Sequence, residues 1–231
     1  MATKLADIIA EAMLYIDDVR LQEQLQTNPA LFCRRMSAYV TSAMPLLSNP
    51  PELYHHISKD FVPATYTSYE WVSTEESTTQ ETVVETGFSG YELVTAVVRS
   101  EDGEYVTAYS DFTYDSETGN ITFPIQSMSG IDYEVDFYTD GEVADLTLSM
   151  LRLYGLAVTV VWYQRLDNNW LNITPKIRDS SFSTINESNY MDKMDGRMKS
   201  VMLEFRDELR KYEQNNAYVN LHKPIPQRKL I

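Results

Sequence analysis

The chain has 231 residues, 43% of them hydrophobic and 12% aromatic, which is the composition of a soluble globular protein with one large or two small domains. A single cysteine excludes an internal disulfide framework and any multi-cysteine metal site, as expected for a chain that folds in a reducing cytosol. The net charge of −15 is concentrated in residues 70–142, which hold 17 acidic residues and one basic residue. This acidic block is interpreted as a solvated surface, with repulsion of passing nucleic acid as the alternative.

Two amphipathic helices are predicted in the first part of the chain. Apolar residues at helical spacing predict the first over residues 5–19, with an interruption at residues 17–18. Acidic residues break this apolar run, so neither a signal peptide nor a membrane anchor is expected. Asn28 followed by Pro29 is a start signal for the second helix, which the prolines between residues 45 and 51 bring to an end.

Residues 48–66 are predicted to be a connecting stretch because they contain three prolines. Its adjacent histidines, His55 and His56, would point about 100° apart on a helix and to opposite faces on a strand, so we predict no metal site there. The only other histidine is His222. Cys33 falls on the apolar side of the second helix and is interpreted as a small core residue rather than a nucleophile.

The hydrophobic period changes from 3.6 to 2 between residues 66 and 141. Turn signals divide this region into seven predicted strands, at residues 66–73, 81–86, 91–100, 104–109, 111–115, 120–125 and 132–138. Short strands joined in this way are typical of a small antiparallel β-sandwich or barrel. In the last strand Asp132, Glu134 and Asp136 share one face, which is interpreted as an exposed face rather than a calcium site.

The most continuously apolar segment, residues 142–166, is predicted to be a central helix buried in the core. Charged residues interrupt it too often for a membrane span. Its polar or small residues form one stripe: Asp145, Ser149, Arg152, Gly155 and Thr159. Arg152 is expected to pair with a carboxylate in the core, at a cost of about 3 to 5 kcal/mol if the pair is broken. Gly155 marks either a close approach of a neighbouring helix or a tolerated small residue, and we favour the second interpretation.

A long polar connection over residues 167–188 is predicted to lead into a final helix that begins between residues 186 and 189 and reaches residue 216. The predicted apolar stripe of this helix is rich in methionine: Met191, Met194, Met198, Val201, Met202, Phe205, Leu209 and Tyr212. We interpret the stripe as core packing, with an adaptable docking surface as the alternative.

Residues 217–231 carry three basic residues, no acidic residue and two prolines. They are predicted to form an extended C-terminal arm that lies on a neighbouring protein, with a disordered terminus as the alternative. The residues assigned to partner binding are Leu221, Lys223, Ile225, Arg228, Lys229, Leu230 and Ile231.

Together these elements predict an α+β protein. A helical bundle body is formed by residues 1–65 and 142–216, an acidic antiparallel β-sandwich-like domain is inserted at residues 66–141, and the arm follows at residues 217–231. The sequence contains no P-loop, GxGxxG, HExxH or GxSxG motif and no convergent acid–base set. We therefore expect a binding or structural protein that is not an enzyme and has no cofactor.

Four short helical motifs resemble those of the adaptor, or head-to-tail connector, proteins of tailed bacteriophages. They are Leu31 and Phe32 with MSAY at 36–39, VVWY at 160–163, DSSF at 179–182, and ESN at 187–189 before a long final helix. The segments YDSETGNITF and GIDYEVDFYTDG are similar to β-domains that decorate phage virion proteins. Simple adaptors lack such a domain, which here would line the channel, contact the next neck protein or project outward.

The resemblance implies a virion neck protein assembled in the host cytoplasm. Proteins of that family form a homo-oligomeric ring, typically twelvefold, under the portal of the capsid. Their extended C-terminal arm docks on the portal protein, a downstream neck or tail protein binds the other side, and DNA passes through without specific binding. One alternative is another tail or fibre-attachment protein. A second is a carbohydrate- or protein-binding module, for which the 16 tyrosines would supply stacking surfaces.

Overall fold

The structure, a computed structural model, describes residues 2–72, 82–99, 105–109, 112–123, 132–173 and 184–221. Its helices are α1 (Leu5–Met13), α2 (Val19–Thr27), α3 (Pro29–Ala43), α4 (Pro51–Lys59), α5 (Leu148–Ile173) and α6 (Thr184–Leu221), with a 3-10 helix (Met44–Leu47) after α3. Its strands are β1 (Thr3–Lys4), β2 (Thr65–Val72), β3 (Thr82–Glu85), β4 (Leu93–Arg99), β5 (Tyr105–Tyr109), β6 (Thr113–Tyr114), β7 (Asn120–Phe123), β8 (Asp132–Thr139) and β9 (Glu142–Val143). The predicted α+β class is confirmed.

One hydrophobic cluster joins α1, α3, α4, α5 and α6. The side chains of α5 from Leu153 to Val160 lie at its centre, and Tyr154 is fully buried with its hydroxyl donating to the Val40 carbonyl at 3.1 Å. The methionine stripe of α6 packs against this cluster at Met198 and Met202, together with Val201 and Phe205 on the same helix. Core packing is therefore the role of this part of the stripe, whereas the side chains of Met191 and Met194 lie outside the described residues.

The first predicted helix is divided into α1 and α2. Leu5, Ile8, Ile9, Ala12 and Ile16 are buried as the spacing predicted. The inclusion of Val19 was wrong, because Asp18 caps a new helix by accepting the Arg20 N–H at 2.8 Å, and Val19 is 63% exposed.

A helix occupies nine of the nineteen residues of the predicted connecting stretch. Pro51 stands in the first turn of α4, where its missing N–H costs nothing, and Leu53 and Ile57 are buried one turn apart. The three prolines were therefore a misleading signal, since one of them starts a helix rather than preventing one.

Two antiparallel sheets contain the seven strands predicted for residues 66–138. The larger has the order β2-β8-β4-β5 and the smaller has the order β3-β7-β6. Strands β2 and β8 pair along their full length, from Thr65 opposite Thr139 to Val72 opposite Asp132. Both sheets contribute to a second hydrophobic cluster, so their inner faces pack on each other: Val84, Ala96, Ile121, Phe123, Val135 and Phe137.

The central helix begins later and ends later than predicted. Glu142 and Val143 belong to β9, which pairs with β1. Thr147 then caps α5, with its hydroxyl facing the Met150 N–H at 3.4 Å. The helix continues to Ile173, into the segment predicted to be a polar connection.

Gly155 lies where α5 and α1 come into close contact. A Cβ atom at this position would lie 2.6 Å from Glu11 Cγ and 3.1 Å from the Ala12 nitrogen. One turn later Thr159, also fully buried, donates to the Gly155 carbonyl at 2.9 Å and lies 3.3 Å from the Ala12 carbonyl. The favoured interpretation of Gly155 as a tolerated small residue was wrong, because only glycine allows this approach.

Arg152 is not in the core. Its side chain is 46% exposed, and its guanidinium pairs with Glu204 of α6 at 2.8 Å and with Glu208 at 4.0 Å. The expected carboxylate partner on another helix is present, but the pair is at the surface, so water already solvates both charges.

We expect Arg152→Leu to lower the free energy of unfolding by less than about 1 kcal/mol, since exposed ion pairs contribute little. Urea unfolding monitored by circular dichroism measures this change. Arg210→Leu is a matched control on α6, because Arg210 lies 3.8 Å from Asp207 at a more exposed position. A loss of about 3 kcal/mol or more for Arg152→Leu alone would restore the buried-pair interpretation.

The final helix is longer than predicted at both ends. It runs from Thr184 to Leu221, a length of about 57 Å at 1.5 Å per residue. Residues 217–221 are therefore helical, and the prediction that the extended arm begins at residue 217 was wrong for this part.

Candidate functional site

Backbone hydrogen bonds and ion pairs connect the helices to the sheets at their junction. Val62 and Glu142 exchange backbone hydrogen bonds of 2.8 and 2.9 Å, and β1 pairs beside them with β9. Gly141 allows this crossing, because a Cβ atom there would lie 2.7 Å from the Ala64 nitrogen. The ammonium of Lys4 adds ion pairs to Glu142 at 3.0 Å and to Glu92 at 3.3 Å. Three chain segments are thus joined where the chain enters and leaves the sheets.

The start of α3 is capped by both its own residue and the larger sheet. Asn28 accepts the Leu31 N–H through Oδ1 at 2.9 Å, which confirms the predicted cap. The Ala30 N–H points to Thr95 Oγ1 of β4 at 3.3 Å, and the other end of the Asn28 amide donates from Nδ2 to Asp136 Oδ2 of β8 at 2.5 Å. The sheet therefore satisfies the Ala30 N–H, one of the donors that the first turn of a helix leaves unpaired.

Asp136 is fully buried between α3 and the larger sheet. Its second carboxylate oxygen accepts a short hydrogen bond from the hydroxyl of Tyr66 on β2. Arg34 of α3 stacks over the Tyr66 ring, with its guanidinium carbon 4.1 Å from the ring centroid. The prediction that Asp136 lies on an exposed strand face was wrong, because α3 covers this face of the sheet.

A second polar cluster lies further along the same contact between α3 and β8. The hydroxyl groups of Ser37 and Tyr138 are 2.7 Å apart, and Tyr138 donates to Asp140 Oδ1 at 2.9 Å. Asp140 Oδ2 accepts the Ala6 N–H at 3.1 Å, so the end of the sheet also caps α1. Residues 136–140 thus bond both to the Asn28 side chain at the start of α3 and to the first turn of α1.

Three weak acids at this contact have raised pKa values. Burial, followed by the hydrogen bond to Asp136, raises the pKa of Tyr66 from 10.0 to about 12. Burial raises the pKa of the Cys33 thiol from 9.0 to about 11, and it also raises the pKa of Tyr138. Folding therefore favours the neutral forms of all three groups.

We expect the contact between α3 and the sheet to weaken at alkaline pH. A group whose pKa is higher in the folded chain than in the unfolded chain stabilises the fold fully at any pH below its unfolded pKa. This stability is lost as the pH rises through its folded pKa, here between about pH 9 and pH 12. Tyrosinate absorbance recorded together with circular dichroism measures the transition. Tyr66→Phe should begin to unfold at a lower pH because Asp136 loses a donor, and Tyr54→Phe, on the exposed face of α4, should not. Identical curves for both variants would contradict this account.

Exposed apolar side chains lie around α2. Leu14, Val19 and Leu25, which we call the α2 corner, are 75%, 63% and 43% exposed. None of the nine residues of α2, all of which the structure describes, is buried. Leu21 packs partly against the main cluster, and Arg35 of α3 donates to Gln24 at 2.8 Å. These three exposed apolar side chains are available to a contact with another chain, which could cover them.

Of the seven residues assigned to the C-terminal arm, the structure describes only one. Leu221 is the last residue of α6. Lys223, Ile225, Arg228, Lys229, Leu230 and Ile231 lie outside the described residues.

No metal site is found in the part of the chain that the structure describes, where no three His, Cys, Asp or Glu side chains are grouped suitably. His55 and His56 both lie on α4, and the Nε2 atom of His56 is 2.9 Å from the Asp145 carbonyl. None of the described helices is long and apolar enough to cross a membrane.

Sequence reasoning identified Asn28 as a cap but missed its bond to Asp136, and it missed Tyr66 and Thr95 entirely. The alternation of β8 correctly placed the Asp136 side chain on the other face of the sheet from Val135 and Phe137, which are buried. It could not show that a helix covers the second face of the sheet. Comparison with protein-family models, curated proteins and solved structures gives no significant match for this chain.

Proposed function

We propose that the chain is a structural virion protein, a ring-forming head-to-tail connector that joins the portal of a phage capsid to the tail or neck. The observation that carries the proposal is the exposed α2 corner on a chain whose helices and sheets are firmly joined. A subunit with a fixed shape and an uncovered apolar surface is suited to a closed ring, where each copy covers the surface of the next.

The charge distribution supports a place beside DNA. Residues 70–142 have 17 acidic residues and one basic residue, while the remainder of the chain has 17 acidic and 18 basic residues. Within the described sheets, Glu70 of β2 stands directly opposite Glu134 of β8, which brings two negative charges close together. A channel lined by such residues would repel phosphates and let DNA pass without binding.

The packing of the tyrosines favours the connector over a carbohydrate-binding module. Tyr69, Tyr91 and Tyr114 pack against the second hydrophobic cluster. The Tyr114 hydroxyl donates to the Phe88 carbonyl at 2.7 Å, and the Tyr91 N–H points to that hydroxyl at 3.3 Å. These rings are used within the fold, which reduces the aromatic surface left for stacking on a sugar.

Particle mass tests the proposal. Sedimentation of the full chain is expected to give a discrete ring of about twelve copies, because a closed cyclic contact stops growth at a fixed number. The double change Leu14→Ser with Val19→Ser should reduce the ring to smaller species, since it removes apolar surface that is exposed in the single chain. Gln26→Ser, a polar change on the exposed side of α2, is the matched control. A stable monomer at all concentrations would contradict the proposal.

A further inference from the structure

We propose that three arginines on and beside α3 form a docking surface for the acidic block, residues 70–142, of a second copy of the chain. The surface consists of Arg34, Arg35 and Arg165, which we call the arginine face. This inference rests on the proposed function, because it names the two surfaces that meet at each contact of the ring. It also gives that contact a direction, in which the helices of one copy bind the acidic block of the next.

The arginine face is a local excess of positive charge on an acidic chain. Helix α3 contains Arg34 and Arg35, and none of its fifteen residues is acidic. All three arginines are exposed. The ion pairs between described side chains are made by other cations, none of them in the arginine face: Lys4, Arg152, Arg197, Lys199, Arg210 and Lys211. No described carboxylate of the same chain therefore forms an ion pair with this surface.

Aromatic rings hold two of the three guanidinium groups in position. Arg34 lies over the Tyr66 ring with its guanidinium carbon 4.1 Å from the centroid, and Arg165 lies over the Tyr39 ring at 5.3 Å. A ring face attracts a guanidinium by its charge and leaves the N–H groups in the guanidinium plane available to an acceptor. Side chains that are already held in this way lose less conformational entropy when a carboxylate binds them.

Arg35 connects the arginine face to the α2 corner. Its Nη1 atom donates to Gln24 of α2 at 2.8 Å, and Gln24 is followed by Leu25 of that corner. The cationic surface and the apolar surface thus adjoin where α2 meets α3. A partner that covers both must itself be apolar in one part and acidic in the other.

The chain itself carries the matching charge. Its acidic block has 17 acidic residues and one basic residue. Among them Glu70 of β2, Glu85 of β3 and Glu117 of the turn between β6 and β7 are exposed. Arginine binds a carboxylate through two parallel N–H···O bonds, and a contact between two different surfaces of identical chains can close into a ring. A second copy is favoured over nucleic acid, because the negative charge of duplex DNA continues along its whole length and would also face the acidic block of the same chain.

Carbodiimide cross-linking of the full chain tests which surfaces meet. Arg34→Lys, Arg35→Lys and Arg165→Lys together keep the charge and supply amines that a carbodiimide couples to carboxylates in direct contact. An equal mixture of isotope-labelled and unlabelled chains distinguishes contacts between copies from contacts within one copy. Mass spectrometry should find cross-links between copies from positions 34, 35 or 165 to acidic residues of the acidic block.

Neutralising the arginine face tests its contribution to assembly. The triple change Arg34→Gln, Arg35→Gln and Arg165→Gln should raise the protein concentration at which the ring dissociates by roughly tenfold, and it should weaken the salt dependence of assembly. A matched control on the exposed side of α6 makes the same change in net charge and should leave this concentration within about twofold: Lys199→Gln, Arg206→Gln and Arg210→Gln.

The outcomes separate this inference from the proposed function. Cross-links that reach only carboxylates outside residues 70–142 overturn the inference and leave the connector proposal standing. The same holds for a ring that the two triple variants weaken equally, and for arginines whose loss abolishes binding of duplex DNA but does not affect the ring. A wild-type chain that stays monomeric overturns both.

Discussion

The substitution Gly155→Leu is expected to lower the free energy of unfolding by about 3 kcal/mol, because the new side chain must displace the backbone of α1. The contact is close, since even a Cβ atom would lie 2.9 Å from Glu11 Cβ and 3.1 Å from the Ala12 nitrogen. Moving α1 away also lengthens the contact between the Thr159 hydroxyl and the Ala12 carbonyl. Urea unfolding with an unchanged slope measures the loss.

Gly196 supplies the matched control for this substitution. It lies on α6, and nothing lies within 4 Å of a Cβ atom built there. Gly196→Leu is therefore expected to be neutral or to stabilise the chain by up to about 1 kcal/mol, through helix propensity alone. If both leucine variants changed stability by the same amount, the close approach of α1 and α5 would be refuted.

Removal of residues 222–231 is expected to leave the fold intact and to abolish attachment to portal rings or capsids, a prediction that rests on the proposed function. Truncation after Leu221 keeps α6 complete. The removed segment carries Lys223, Arg228 and Lys229 and no acidic residue, so the full chain should bind an acidic groove less well as salt rises. Co-sedimentation at low and high salt should show a loss of binding of roughly a hundredfold at low salt.

A variant that keeps the length of the arm separates charge from apolar contact. Changing Lys223, Arg228 and Lys229 together to glutamine should remove the salt dependence and retain part of the binding through Ile225 and Leu230. Circular dichroism of the truncated chain should match that of the full chain. Equal co-sedimentation of truncated and full chains would remove the arm from the proposed function.

The strands were predictable because each is flanked by a turn signal and alternates in polarity. The turn between β6 and β7 is an example, where Asp115 accepts from the Glu117 N–H and Gly119 adopts a positive φ of 79°. Information of this kind is local, so one sequence is enough to read it. The start of α3 at Asn28 and Pro29 was found for the same reason.

The errors arose where distant residues decide the local structure. Glu142 looks helical in sequence but pairs with Lys4, and Asp136 looks solvent-exposed but lies under α3. Arg152 fell within an apolar run, yet it reaches the surface to pair with Glu204. None of these partners can be identified from spacing within a single segment. Residues 66–141, predicted to be an inserted domain, supply caps to α1 and α3 through Asp140 and Thr95.

The pairing of β1 with β9 also determines the order in which the chain can fold during synthesis. Lys4 finds its strand partner only at Glu142, and Ala12 meets Thr159 at a separation of 147 residues. Helix α1 must therefore wait for most of the chain to leave the ribosome, whereas β2 to β8 are complete by residue 139. We expect the sheets to form first and to serve as the template on which α1 and α3 settle. A nascent chain stalled when residue 147 has just left the ribosomal exit tunnel should thus carry folded sheets and an apolar α1 that a chaperone can still bind.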